Sequence, residues 1–140
     1  MIRKAPVSMI MTTPVITLQK DDNLETAEQL FKQHRIRHIP VVEGNVVIGM
    51  LSYTDLLRLS FGDITGSDFD DASEVMVYNM FTIGQVMNRN IVSVSLSDSI
   101  KDVAEILASK EFHALPVVNN NTLVGIVTTT DLIKYLLKQF

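Results

Sequence analysis

This chain carries nearly the same pattern twice. Laying Pro40 over Pro116 aligns its halves without a gap: IPVVEGNVVIG falls on LPVVNNNTLVG, Gly49 on Gly125, and Thr54-Asp55-Leu56 on Thr130-Asp131-Leu132. At the same offset Met11 falls on Met87 and Asp22 on Asp98. Apolar positions exchange conservatively: Leu24 for Ile100, Ala27 for Val103, Leu30 for Ile106, Phe31 for Leu107. Self-similarity at one fixed spacing limits the architecture before any other feature is read. Each repeat, near 8–59 and 84–135, is too short for a comfortable core of its own, so the two are expected to pack together.

Within each repeat the order of elements is legible. The β-branched runs PVITL and NIVSVSL read as short strands. A helix follows. Asp22 stands three residues before Glu25, a capping-box spacing, and Leu24, Ala27 and Phe31 share one helical face, as do Ile100, Val103 and Leu107. Two apolar runs then form a hairpin (Ile39 to Val42 with Val46 to Leu51; Leu115 to Val118 with Leu123 to Val127). Their near-continuous apolar character suggests sheets covered by helices. A last helix starts near Asp55 and again near Asp131. The fold class is α/β (α+β by some schemes), two β-α-β-β-α units. Residues 1–62 and 81–140 are the expected domains, and 63–80 is an acidic connector with a short helix possible within SEVMVYNMF.

Composition narrows function. The net charge of −4 argues against non-specific nucleic-acid binding, which needs basic surface. The absence of cysteine removes disulfides, thiolate metal sites and thiol nucleophiles and fits a cytoplasmic protein. No apolar run approaches the roughly 18–20 residues of a membrane span, and the N-terminus lacks a signal-peptide stretch. His34, His38 and His113 have no metal-site spacing, and no nucleophile elbow, Walker A or GxGxxG is present. No catalytic residue and no metal ligand is expected; the chain reads as a non-enzyme.

Three motifs remain. GMLSYTD and GIVTTTD each end an apolar strand on oxygen-bearing side chains. Ser52 and Thr128 lie three residues before Asp55 and Asp131, which an ordinary helix N-cap with an acid at N3 would explain. The same geometry also makes an anion site: free N–H groups, the positive end of the helix dipole, hydroxyl donors, and a carboxylate able to accept from the paired hydroxyls of a ribose. Gly49 and Gly125 would let another group approach the backbone. Thr54 and Thr130 are not needed by a cap. The second motif is FKQHRIRH. Lys32, His34 and Arg35 fit a helix C-terminus, whereas Arg37 and His38 precede a buried strand and should be more constrained. The second repeat has His113 and Ala114 there and is less basic, so the two sites should differ. The third, GSDFDD with Asp68, Asp70 and Asp71, matches a calcium loop poorly and reads as a solvated acidic linker. The methionines read as core or interface filler, with Met50, directly after Gly49, set apart.

RHIPVV…GMLSYTDLL and HALPVV…GIVTTTDLI resemble the CBS domain family, named for cystathionine β-synthase. The resemblance covers nearly the whole chain outside 61–83 and the termini. It implies two repeats packed through their sheets with pseudo-twofold symmetry, clefts between them, and adenosine ligands there: AMP, ADP, ATP, S-adenosylmethionine or related dinucleotides. It implies Asp55 and Asp131 on the ribose hydroxyls, and Ser52, Thr54, Thr128 and Thr130 reaching phosphate. Met50, Ile126, Ile39 and Leu115 would flank the adenine, and Arg37, His38 and His113 would contact phosphate. No cofactor is required; an adenine nucleotide would be a regulatory ligand. Ala114 departs from the basic character often found there. The resemblance further implies a homodimer and an effector protein regulated in trans, since no effector domain is attached here. The alternatives are a ligand-free scaffold or interaction module, or an S-adenosylmethionine or dinucleotide sensor.

Overall fold

The structure, a computed structural model, describes residues 5–61, 80–110 and 112–140. The acidic connector, the SEVMVYNMF helix and Asp68, Asp70 and Asp71 lie outside the described residues, apart from the last two positions of that stretch.

The elements run β1 (Leu18–Gln19), α1 (Leu24–His34), β2 (His38–Glu43), β3 (Val46–Ser52), α2 (Tyr53–Phe61), α3 (Ile83–Val86), β4 (Val94–Ser95), α4 (Ile100–Ser109), β5 (Ala114–Asn119), β6 (Thr122–Thr128) and α5 (Thr129–Lys138). They form two three-stranded sheets, β1-β2-β3 and β4-β5-β6. β1 pairs with β2 in parallel, and β4 with β5 at the equivalent register, Leu18 opposite Val41 and Val94 opposite Val117. The β-α-β-β-α order expected of each repeat is present, and the fold is α/β.

The helices follow the apolar spacing. Leu24, Ala27 and Phe31 of α1 are buried, as are Ile100, Val103 and Leu107 of α4. The start of α1 differs from expectation. Asn23 caps it, its Oδ1 accepting from the Thr26 N–H at 2.8 Å, while Asp22 accepts from the Gln19 N–H at 2.8 Å and closes the turn after β1. The second repeat divides the work identically: Ser99 caps α4 and Asp98 accepts from Ser95. Asn23→Ala is therefore expected to cost about 1 kcal/mol, read as a lower urea midpoint with an unchanged slope.

The run PVITL contributes only Leu18 to a strand, which continues to Gln19, and NIVSVSL contributes only Val94 and Ser95. The hairpins turn where expected. Gly44 takes φ 64° at the first position of one two-residue loop; Asn120 and Asn121 take 51° and 70° in the other. Glycine reaches that region at no steric cost, and asparagine is among the side chains that tolerate it best.

The chain divides into two compact units, each assembled from separated pieces. One comprises Ile16–Gly44 and Ile48–Asn90; the other comprises Met1–Val15, Asn45–Val47 and Ile91–Phe140, in both cases as far as described. Each core takes in a segment from outside its own repeat. Ile83 and Met87 are buried with Leu24, Phe31 and Leu51, and Val7 is buried with Val103, Leu115 and Val127.

Candidate ligand-binding site

Each unit brings one set of the expected residues together at the N-terminus of its last helix. In the first unit Ser52 ends β3, and its Oγ accepts from the Asp55 N–H at 3.0 Å. The Tyr53 N–H donates to the Arg37 carbonyl at 2.8 Å, which brings the residue before β2 beside the mouth of α2. In the second unit Thr128 Oγ1 accepts from the Asp131 N–H at 3.1 Å, and Asp131 Oδ2 accepts from the Thr128 N–H at 3.0 Å, a full capping box. The Thr129 N–H donates to the His113 carbonyl at 3.0 Å. The capping role is thus real in both repeats. It uses Ser52, Thr128, the N–H groups of both aspartates and the Asp131 carboxylate, and leaves the side chains of Thr54 and Thr130 exposed.

The basic cluster separates into two groups. Lys32 and His34 occupy the last turn of α1, and Arg35 is its left-handed C-cap at φ 55°. The Glu28 carboxylate accepts from Lys32 Nζ at 2.8 Å. That hydrogen bond, and then the charge of Glu28, raise Lys32 above the usual lysine range. Arg37 instead leads into β2 with its side chain exposed, followed by half-buried His38. His113 is exposed and Ala114 buried at the equivalent place.

Of the apolar positions, Ile39 and Leu115 are 0% and 1% exposed and belong to the cores. Met50 and Ile126 are buried under a strand-like pairing with chain from the other repeat. Met50 exchanges both backbone hydrogen bonds with Asn88, at 3.0 and 2.9 Å, and Ile126 does so with Thr12, at 3.2 and 2.7 Å. The same segments explain the glycines. A Cβ on Gly49 would overlap the Met87 sulfur, and one on Gly125 would overlap Met11. The group that approaches the backbone there is a methionine of the chain itself. Met11 and Met87 pack as the filler expected, whereas Met9 and Met80 are 67% and 71% exposed.

The two aspartates differ in their partners. Asp55 Oδ1 accepts from Arg58 Nη1 at 3.3 Å. Asp131 accepts from the Thr12 hydroxyl at 3.3 Å on each oxygen. Thr12 was not apparent as a site residue. Its signal was the pairing of Met11 with Met87, which puts Thr12 and Asn88 in register. Among the described residues no group of three or more His, Asp or Glu could hold a metal ion. Each helix mouth can chemically accept hydroxyl donors on its carboxylate and offer hydroxyls to an anion, and Arg37 stands beside the first mouth alone.

A family model for the CBS domain matches residues 7–62 and again 83–138. The chain belongs to the CBS domain family. It is 34% identical over 122 residues to the CBS domain-containing protein YhcV of Bacillus subtilis, covering 87% of this chain and 79% of that one. It spans only 32% and 45% of two archaeal relatives from Methanocaldococcus jannaschii. Among solved structures, the CBS domain of a membrane protein from Sphaerobacter thermophilus superposes with TM-score 0.79 at 30% identity, covering 95% of this chain and 88% of that one. The Arabidopsis thaliana protein CBSX2, crystallised with AMP, has TM-score 0.78 at 23% identity (96% and 98% covered). The CBS pair of MJ0100, crystallised with 5′-methylthioadenosine and S-adenosylmethionine, has TM-score 0.78 at 22% identity (97% and 98% covered). At those last two identities the likeness is one of fold. No helix among the described residues is long and apolar enough to cross a membrane.

Proposed function

We infer that this CBS pair is a regulatory module that binds an adenosine nucleotide of the AMP, ADP or ATP class and transmits its ligand state to a partner protein in the cytoplasm. The observation that carries the reading is the pair of helix mouths. Each holds a carboxylate on a capped N-terminus, with a second hydroxyl, Thr54 or Thr130, that the cap leaves exposed. The AMP bound by CBSX2 is in keeping with it. Transmission requires a ligand that binds one conformation better than another. Isothermal titration with AMP, ADP, ATP and S-adenosylmethionine tests the proposal: saturable binding of an adenine nucleotide is expected. A folded chain that binds none of them at millimolar concentration is a scaffold instead.

A second reading has its own support. His113 and Ala114 stand where the first repeat has Arg37 and His38. The Asp131 mouth is therefore the better candidate for a ligand without phosphates, of the kind held by MJ0100.

The partner surface of a homodimer is proposed on α5. No residue of this helix is buried, and Ile133, Leu136, Leu137 and Phe140 are 52%, 55%, 67% and 98% exposed. Leu136→Asp combined with Leu137→Asp is expected to convert a dimer into a monomer by light scattering. A monomeric parent chain, or a dimer that survives both charges, would remove α5 from the interface.

A further inference from the structure

The geometry points to Thr12 as a specificity-determining residue of the Asp131 half-site: its hydroxyl holds the place that a ligand's vicinal diol must take. The inference rests on the adenosine reading above and adds a competitor to it. A carboxylate binds a vicinal diol by receiving one hydroxyl on each oxygen, so the diol must lie in front of both. Thr12 Oγ1 is 3.3 Å from Oδ1 and 3.3 Å from Oδ2. A donor equidistant from both oxygens stands on the bisector of the carboxylate, in the middle of that bidentate face.

The remaining acceptor capacity is small. A carboxylate offers about four lone-pair sites, and the Thr128 N–H already takes one on Oδ2. The Thr12 contact is also loose, since short hydroxyl–carboxylate bonds run about 2.5–2.7 Å. It can yield to a ligand, at a cost in affinity. The backbone holds the hydroxyl in place: Thr12 pairs both ways with Ile126, and Met11 covers Gly125. The equivalent position in the other unit is Asn88, whose Oδ1 accepts from the Asn90 N–H at 2.9 Å. There Asp55 is approached at one oxygen by Arg58. The rival hydroxyl thus belongs to the Asp131 half-site.

The test uses the full chain carrying Asp55→Ala, so that the Asp131 half-site is read, with AMP and 5′-methylthioadenosine as probes in isothermal titration. Thr12→Val keeps the branched shape and removes the hydroxyl. It is expected to tighten binding about two- to tenfold, the range for one modest hydrogen bond, while Thr12→Ser binds like the parent. With 2′,3′-dideoxyadenosine monophosphate the gain should vanish, because no diol competes. A merely structural role for Thr12 would weaken binding in Thr12→Val. Equal or weaker binding by Thr12→Val, or Ser behaving like Val, overturns the inference and leaves the adenosine reading standing. No binding of either diol probe by any of these folded variants overturns both at this half-site.

Discussion

Asp55→Ala and Asp131→Ala together are expected to weaken AMP binding about 10- to 100-fold, the range for losing hydrogen bonds to a charged group, while stability falls by no more than about 2 kcal/mol. The two effects separate because the caps do not depend on the carboxylates alone. Ser52 Oγ and Thr128 Oγ1 still accept the N3 amide when the aspartate is truncated, so the loss stays within the range for a helix cap, about 0.5–2 kcal/mol. Titration of the double variant against the parent, with urea unfolding in parallel, reads both. Unchanged affinity would return the aspartates to a purely structural role and favour the scaffold.

Gly49→Ala is the second large effect, and two contributions of opposite sign bear on it. Gly49 does not have a positive φ, and replacing glycine at a conformation alanine can adopt stabilises a protein by about 0.4–1 kcal/mol. Against this, the new Cβ overlaps the Met87 sulfur and lies 3.1 Å from the Asn88 carbonyl oxygen. Over-packing of this kind costs about 1–3 kcal/mol, so destabilisation should win. The partner is a flexible side chain, which makes the cause separable. Met87→Ala alone should cost about 2–5 kcal/mol through its cavity, and the added methyl should partly fill that cavity. The double variant is therefore expected to be more stable than the sum of the single effects implies. Simple additivity in the unfolding cycle would show that the two residues do not share this space.

Much of this was legible in the sequence because it is local. The buried faces of α1 and α4 follow from apolar residues three and four apart. The hairpins follow from Gly44 and from Asn120-Asn121, and the last helices from Ser52 and Thr128. The cap of α1 was misplaced by one residue because Asp22 and Asn23 are both able to cap. Which one does is decided by β1, whose Gln19 N–H engages Asp22. The strands before the first helices were read too long because β-branched residues favour extended chain everywhere, whereas pairing with β2 and β5 reaches only Leu18–Gln19 and Val94–Ser95. What covers the two glycines, and what Thr12 meets, were out of reach for a different reason. Their partners, Met87, Met11 and Asp131, are distant in sequence and meet them through isolated bridges, which leave no periodic trace.

Those bridges also set a timetable for synthesis. The bridge between Met50 and Asn88 can close once the chain has grown just past residue 88, while the rest is still being made. The bridge between Thr12 and Ile126 spans a loop about three times as long, which adds only about 1 kcal/mol of closure entropy. It must nevertheless wait until residue 126 has left the ribosome. The amino-terminal arm is therefore claimed in two stages: Val7 meets the Asp98 carbonyl and Pro6 bridges Ser99 first, and Thr12 pairs with Ile126 only once β6 has emerged.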